Sequence, residues 1–93
     1  MTILQGLTDQ KVCEGDIVQL EVKVSVENVE GVWMKDGHEI QSSDRIHIVL
    51  DKQSHMLLIE DATQEDSGTY SFSIPGLELS TTGQVTVYSK SLP

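Results

Sequence analysis

The chain is short and acidic, and both properties restrict what it can do. Its 93 residues suffice for a single domain with one core, which leaves little room for a separate catalytic pocket. Fifteen Asp and Glu residues against six Lys and Arg residues give a formal net charge of -9 at pH 7. Because nucleic acid and anionic lipid are bound through basic groups, we expect neither as a partner. A solvated acidic surface is the simpler interpretation, and a basic protein partner is the alternative.

The cysteine content indicates a compartment in which thiols stay reduced. Cys13 is the only cysteine, so no internal disulfide can form. Small secreted domains usually support a thin core with several bridges. Asn28 is followed two positions later by Glu30 and therefore forms no glycosylation sequon. The sequence also shows no signal-peptide pattern and no run of roughly 20 apolar residues that could span a membrane.

The first half of the chain carries two β-strand signals and a hairpin signal. Residues 17–24 alternate between apolar and polar side chains, which is typical of a half-buried strand in an antiparallel sheet. A turn at Glu14-Gly15-Asp16 precedes this strand. Residues 32–34 form the next short strand, and Asp36-Gly37 after it predicts a tight hairpin.

The second half continues in the same way. Further β-type runs lie at residues 45–50, 56–59, 70–74 and 85–87. Turn signals separate them at residues 51–54 and at Pro75-Gly76, and residues 61–66 have room for one helical turn at most. Short strands at this spacing predict an all-β sandwich or barrel.

Several of these residues form a recognisable combination. Leu20-Glu21-Val22, Trp33, Leu57-Leu58-Ile59, and Asp66-Ser67-Gly68-Thr69-Tyr70 followed by Phe72 together resemble the intermediate set of the immunoglobulin superfamily over residues 7–87. The resemblance implies an immunoglobulin-like sandwich of two antiparallel sheets. It also implies a structural core that includes Val22, Trp33, Leu57, Ile59, Tyr70 and Phe72.

The sequence departs from that family at the inter-sheet disulfide. Val22 and Phe72 occupy the two positions at which the family has cysteines. A bridge closing a loop of about 50 residues contributes roughly 4 kcal/mol in the chain-entropy model. Burying a Val and a Phe side chain contributes roughly 1.5–3 kcal/mol each. The two effects are comparable, so a sandwich without the bridge, packed on Trp33, is feasible.

The resemblance implies two further contacts. One is a tyrosine corner, in which the Tyr70 hydroxyl bonds backbone a few residues upstream. The other is an ion pair between Arg45 and Asp66, which in related domains closes one end of the sandwich. Two separately solvated charges are the alternative to this pair.

No grouping of residues predicts catalysis, a cofactor or a metal site. His38, His47 and His55 lack metal-ligand spacing, and the carboxylates contain no calcium loop. Ser67 does not lie in a nucleophile elbow. We expect Cys13 to be a small buried or edge residue rather than a nucleophile. Leu77 and Leu79 predict either a contact patch for a neighbouring domain or ordinary core filling.

The resemblance extends to the bridge-free modules of giant muscle proteins such as titin, obscurin and myosin-binding protein C. The runs 31–40 and 84–88 are most similar to the family of myomesin and M-protein. This implies a non-enzymatic module of a cytoplasmic protein that crosslinks thick filaments and contributes elasticity at the sarcomere M-band. Its partners would be neighbouring immunoglobulin or fibronectin-type modules and other sarcomeric proteins, and its parent protein would be a homodimer.

Two other functions remain as alternatives: an adhesion or receptor ectodomain, and an accessory domain of a large muscle kinase. In either case we expect residues 1–93 to form one domain. Its core would cover about residues 3–88, and residues 89–93 would be a tail or the start of a linker.

Overall fold

Nine strands and one 3-10 turn make up the computed structural model, which describes residues 2–89. The strands are β1 (Ile3–Gln5), β2 (Gln10–Cys13), β3 (Val18–Val24), β4 (Val32–Lys35), β5 (His38–Glu39), β6 (Ile46–Asp51), β7 (Ser54–Ile59), β8 (Gly68–Ile74) and β9 (Leu79–Tyr88). The 3-10 turn, Gln64–Asp66, lies between β7 and β8. The predicted all-β sandwich is confirmed. The proposed tail lies outside the described residues from position 90 onward.

The strands form two sheets that pack face to face. The first sheet has the order β1-β3-β7-β6, and the second has the order β2-β9-β8-β4-β5. All pairs are antiparallel except β2 and β9, which run parallel from Gln10 opposite Val85 to Cys13 opposite Tyr88. The expectation of two fully antiparallel sheets is therefore corrected at this one pair.

The parallel pair arises because the chain changes sheets early. β1 pairs with the end of β3 in the first sheet, and the chain then crosses to β9 in the second. Two hydrogen bonds hold the crossing segment: the Leu7 N–H donates to Thr81 Oγ1 (2.9 Å), and the Gln84 N–H donates to Asp9 Oδ1 (3.0 Å). A side chain at Gly6 would place its Cβ 2.6 Å from Thr81 Oγ1, so this close approach requires glycine.

Tight hairpins join neighbouring strands as their turn residues dictate. Asp36 (φ 51°) and Gly37 (φ 84°) connect β4 to β5, and positive φ at both positions suits a two-residue hairpin turn. The hairpin predicted at Asp36-Gly37 is confirmed. β9 begins at Leu79, opposite Ile74, well before the run predicted at residues 85–87.

Alternation along the strands builds the core. The residues at positions 18, 20, 22 and 24 of β3 are buried, whereas those between them are partly or fully exposed. The same period of two operates on β7 and β8. The buried apolar residues are Val18, Leu20, Val22, Val24, Trp33, Leu57, Ile59, Ala62, Tyr70, Phe72, Ile74, Val85 and Val87.

Candidate functional site

The centre of the sandwich is packed by side chains at the positions where related proteins carry a disulfide. Val22 and Phe72 are both buried, with exposed fractions of 0% and 1%. Phe72 lies opposite Trp33 in the ladder between β8 and β4. The centroids of these two rings are 4.9 Å apart, and their planes are tilted by 57°. Tilted aromatic pairs at this separation are favourable.

Phe72 also contacts the opposite sheet. Its ring centroid lies 4.7 Å from that of His55, which is the ladder partner of Val22 in the first sheet. Phe72 therefore links the two sheets through ring contacts with Trp33 on its own side and His55 on the other. The ring tip reaches the backbone of Gly31, because a Cβ built there would lie 2.1 Å from Phe72 Cζ.

His55 is a buried polar residue within this apolar centre. Its exposed fraction is 3%, and its Nε2 atom has no hydrogen-bond partner. Burial lowers the pKa of His55, because the charged imidazolium would lose its hydration. The ring is therefore neutral at physiological pH.

A hydrogen bond at Tyr70 closes the corner between the 3-10 turn and β8. The buried Tyr70 hydroxyl donates to the backbone carbonyl oxygen of Asp66 across 2.6 Å. Burial raises the pKa of Tyr70 strongly, and the charges of Asp66 and Asp36 add to this effect. The phenol therefore stays protonated and serves as the donor that the corner requires.

The side chain of the same Asp66 binds Arg45. Arg45 Nη1 lies 3.2 Å from Asp66 Oδ2 and also donates to the carbonyl oxygens of Glu60 (2.9 Å) and Asp61 (3.1 Å). The Thr63 N–H donates to Asp66 Oδ2 across 2.8 Å. Partial burial alone would raise the pKa of Asp66, but the bonds from Arg45 and Thr63 outweigh it and lower the pKa. The two charges thus form a pair that ties the start of β6 to the 3-10 turn.

Comparison with known proteins agrees with this geometry. The family model for the Immunoglobulin I-set domain matches residues 1–87. The chain belongs to the immunoglobulin I-set family. Slow-type myosin-binding protein C from Homo sapiens is 41% identical over 73 residues, which cover 78% of this chain and 6% of that protein. This I-set domain therefore spans only a small part of the relative.

Solved structures resemble the domain over almost its whole length. Domain I10 of titin superposes with a TM-score of 0.85 at 30% identity, covering 91% of this chain and 94% of that one. An immunoglobulin-like domain of human obscurin-like protein 1 gives a TM-score of 0.88 at 26% identity, covering 99% of this chain and 88% of that one. Myosin-binding protein C, titin and an obscurin-like protein are thus represented among the similar proteins, which supports sarcomeric relatives in general but not the myomesin family specifically.

The remaining candidate residues of the I-set domain lie apart from one another. His38 is exposed on β5, and His47 Nε2 lies 2.6 Å from Glu60 Oε2 in an exposed pair. Cys13 is exposed on β2 at the edge of its sheet, so the expectation of an edge position is correct and that of burial is wrong. Within residues 2–89, no group of three or more His, Cys, Asp or Glu side chains could hold a metal ion.

Ser67 Oγ accepts the Val87 N–H across 2.8 Å and so joins the corner to β9. Leu77 is 49% exposed in the turn before β9, whereas Leu79 is partly buried. No helix among the described residues is long and apolar enough to cross a membrane.

Inspection of the sequence missed the role of His55. The signal was present, because His55 alternates with Leu57 and Ile59 on β7 and therefore shares their inward face. The position of His55 opposite Val22 shows that it belongs to the inter-sheet centre.

Proposed function

We propose that this I-set domain is a non-enzymatic structural module of a multidomain sarcomeric protein and transmits force along its parent chain. Support comes from its membership of a family whose relatives here include myosin-binding protein C and titin. The path of the chain through the sandwich adds a mechanical argument.

The two ends of the domain lie at opposite poles. Ile3 pairs with Val24 at the end of β3, whereas Tyr88 accepts the Glu14 N–H (2.8 Å) near the start of β3. Tension applied through the chain therefore runs along the length of the sandwich. Because β2 and β9 run parallel, this tension loads their ladder in shear, and several hydrogen bonds must break together. This parallel ladder is the observation on which the proposed function depends.

Single-molecule force spectroscopy tests the proposal. The domain would be stretched between marker domains, and Val12→Pro would be compared with Lys11→Pro. The Glu14 N–H faces β9, so by alternation the Val12 N–H also faces β9 and the Lys11 N–H faces away. We expect Val12→Pro to lower the unfolding force and Lys11→Pro to leave it nearly unchanged. Equal forces for both variants would contradict a force-bearing ladder.

The proposal also includes a location within the muscle cell. The resemblance of residues 31–40 and 84–88 to the myomesin and M-protein family supports a cytoplasmic position at the M-band, with thick-filament crosslinking and elasticity. Neighbouring immunoglobulin or fibronectin-type modules and a homodimeric parent belong to the same proposal. An antibody raised against this domain should label the centre of the thick filament. Labelling of the cell surface would instead favour an ectodomain.

A further inference from the structure

The outer edge of β6 exposes backbone groups that have no partner strand. The direction of these groups follows from one contact: the Glu60 N–H donates to the Arg45 carbonyl (2.8 Å), so Arg45 faces β7. By alternation, the backbone groups of Ile46, Ile48 and Leu50 point away from the sheet. The outward backbone groups of Ile46 are hydrogen-bonded to Ser43, which donates its N–H to the Ile46 carbonyl (2.9 Å) and accepts the Ile46 N–H at its Oγ (3.3 Å). The ladder is therefore open at Ile48 and Leu50.

The side chains of these two residues are also uncovered. Ile48 and Leu50 stand opposite Leu57 and His55 in the ladder, so they belong to the inward face of the sheet. They are nevertheless 42% and 45% exposed. The reason is that the second sheet ends on this side with β5, which has only two residues. An aliphatic edge with free hydrogen-bonding groups is a site at which another strand can add.

The charges around the edge indicate what kind of strand fits. At the start of the strand, the Arg45 guanidinium lies 3.2 Å from the Asp66 carboxylate, and the His47 ring lies 2.6 Å from that of Glu60. Asp44 precedes the strand and is exposed. The start of the edge is therefore acidic, and the chain as a whole carries a charge of -9. A second copy of the chain would bring like charges together, whereas a basic segment would be attracted.

We infer that the edge at Ile48 and Leu50 binds an extended segment of a partner protein by strand addition. The segment carries alternating aliphatic side chains and a Lys or Arg at the end that meets Asp44. Its backbone completes the open ladder, and its aliphatic side chains cover Ile48 and Leu50.

A synthetic peptide serves as the probe. It is a hexapeptide of alternating valine and threonine with lysine at both ends, capped at both termini, and it is titrated into the isotope-labelled domain. We expect amide chemical-shift changes centred on Ile48 and Leu50 and slower hydrogen exchange at both amides. The same peptide with N-methylated backbone amides cannot form the ladder and should cause no such changes. Absence of shifts with the unmodified peptide, or shifts centred on another strand, would overturn the inference.

Two variants test the edge itself. Leu50→Pro removes an outward N–H and no internal hydrogen bond, so the domain should stay folded and the peptide-induced shifts should be lost. The double variant Ile48→Lys and Leu50→Lys keeps the backbone and places charge on the edge, with the same expected loss. Leu4→Lys, at a 61% exposed position on β1, is the matched control and should bind as the wild type does. Folded edge variants that bind the peptide normally, or self-association of the wild-type domain through β6, would show the inference to be wrong.

Discussion

The rings of Phe72 and His55 lie 4.7 Å apart, centroid to centroid, on opposite sheets of the sandwich. Val22 is the ladder partner of His55, so this contact occupies the region that a disulfide would cross in related domains. A neutral imidazole and a phenyl ring thus stand where a covalent bond would be. The contact makes the stability of the domain depend on packing and on the protonation state of one histidine.

Acidification should destabilise the domain through His55. Its pKa is lowered by burial in the folded state, so the unfolded chain binds the proton more tightly. The contribution of neutral His55 to stability is complete above about pH 6.5, the value of an unperturbed histidine, and decreases as the pH falls below it. Urea unfolding of the wild type and of His55→Phe, between about pH 7.5 and pH 5.5, measures this effect. The wild type should lose stability more steeply, and His38→Gln should behave as the wild type does. Parallel pH profiles for the wild type and His55→Phe would contradict the prediction.

Removing the Tyr70 hydroxyl should lower the stability of the domain by more than the small size of the group suggests. Tyr70→Phe keeps the ring but leaves the Asp66 carbonyl without its 2.6 Å donor in a buried position. An unsatisfied buried acceptor costs about 1–3 kcal/mol. Equilibrium denaturation measures this loss, and Tyr88→Phe, at a 48% exposed site, is the control. Equal stability of the two variants would mean that the corner bond contributes nothing.

The pair between Arg45 and Asp66 should be detectable but weak. Arg45 is 41% exposed at its side chain, so solvent screens the attraction, and a coupling of about 0.2–1 kcal/mol is expected. A double-mutant cycle of Arg45→Ala and Asp66→Asn measures it. A coupling of zero would show that the pair does not contribute to the stability of the domain.

Protonation of the Asp66 carboxylate should also lower the stability of the domain at acidic pH. The folded pKa of Asp66 is lowered, so its contribution is complete above the unfolded value of about 4 and disappears as the pH falls through the folded pKa. Asp66→Asn should flatten the stability profile in this acidic range only. The loss through His55 begins near pH 6.5, whereas the loss through Asp66 begins only near pH 4, so the onsets of the two effects can be distinguished in one set of measurements.

Gly31 should tolerate no side chain while Phe72 is present. A Cβ at position 31 would lie 2.1 Å from Phe72 Cζ and 2.3 Å from Cε1, so the ring would have to move. Overpacking of this kind costs about 1–3 kcal/mol. Gly31→Ala in the Phe72→Leu background should cost clearly less than in the wild type, as measured by thermal unfolding. Strict additivity of the two changes would contradict the close packing of these residues.

Much of the fold was predictable because its signals are local. Alternating apolar residues in 17–24 and 70–74 predicted two core strands, and Asp36-Gly37 predicted the hairpin between β4 and β5. The parallel pairing of β2 with β9 was not predictable in this way, because it joins residues more than seventy positions apart and depends on the change of sheets after β1. The local pattern was compatible with either a sandwich or a barrel, and the resemblance to a known family favoured the sandwich.

The details of the site divide in the same way. Tyr70 and Phe72 follow from a motif, and their positions were expected from it. The exposure of Ile48 and Leu50 could not be expected from the sequence, because it results from the short length of β5 rather than from any property of β6. The free Nε2 of His55 likewise depends on which groups surround it in three dimensions.

Truncation of Phe72 tests most directly whether packing alone holds the two sheets together. The measurement is urea unfolding of Phe72→Ala beside Tyr88→Ala, which removes an exposed ring. If the Phe72 ring, packed on Trp33 in its own sheet, joins the sheets through its contact with His55, Phe72→Ala should lose about 3–5 kcal/mol or fail to fold, and Tyr88→Ala should stay within about 0.5 kcal/mol of the wild type. A folded Phe72→Ala variant with a loss no larger than that of Tyr88→Ala would contradict the account.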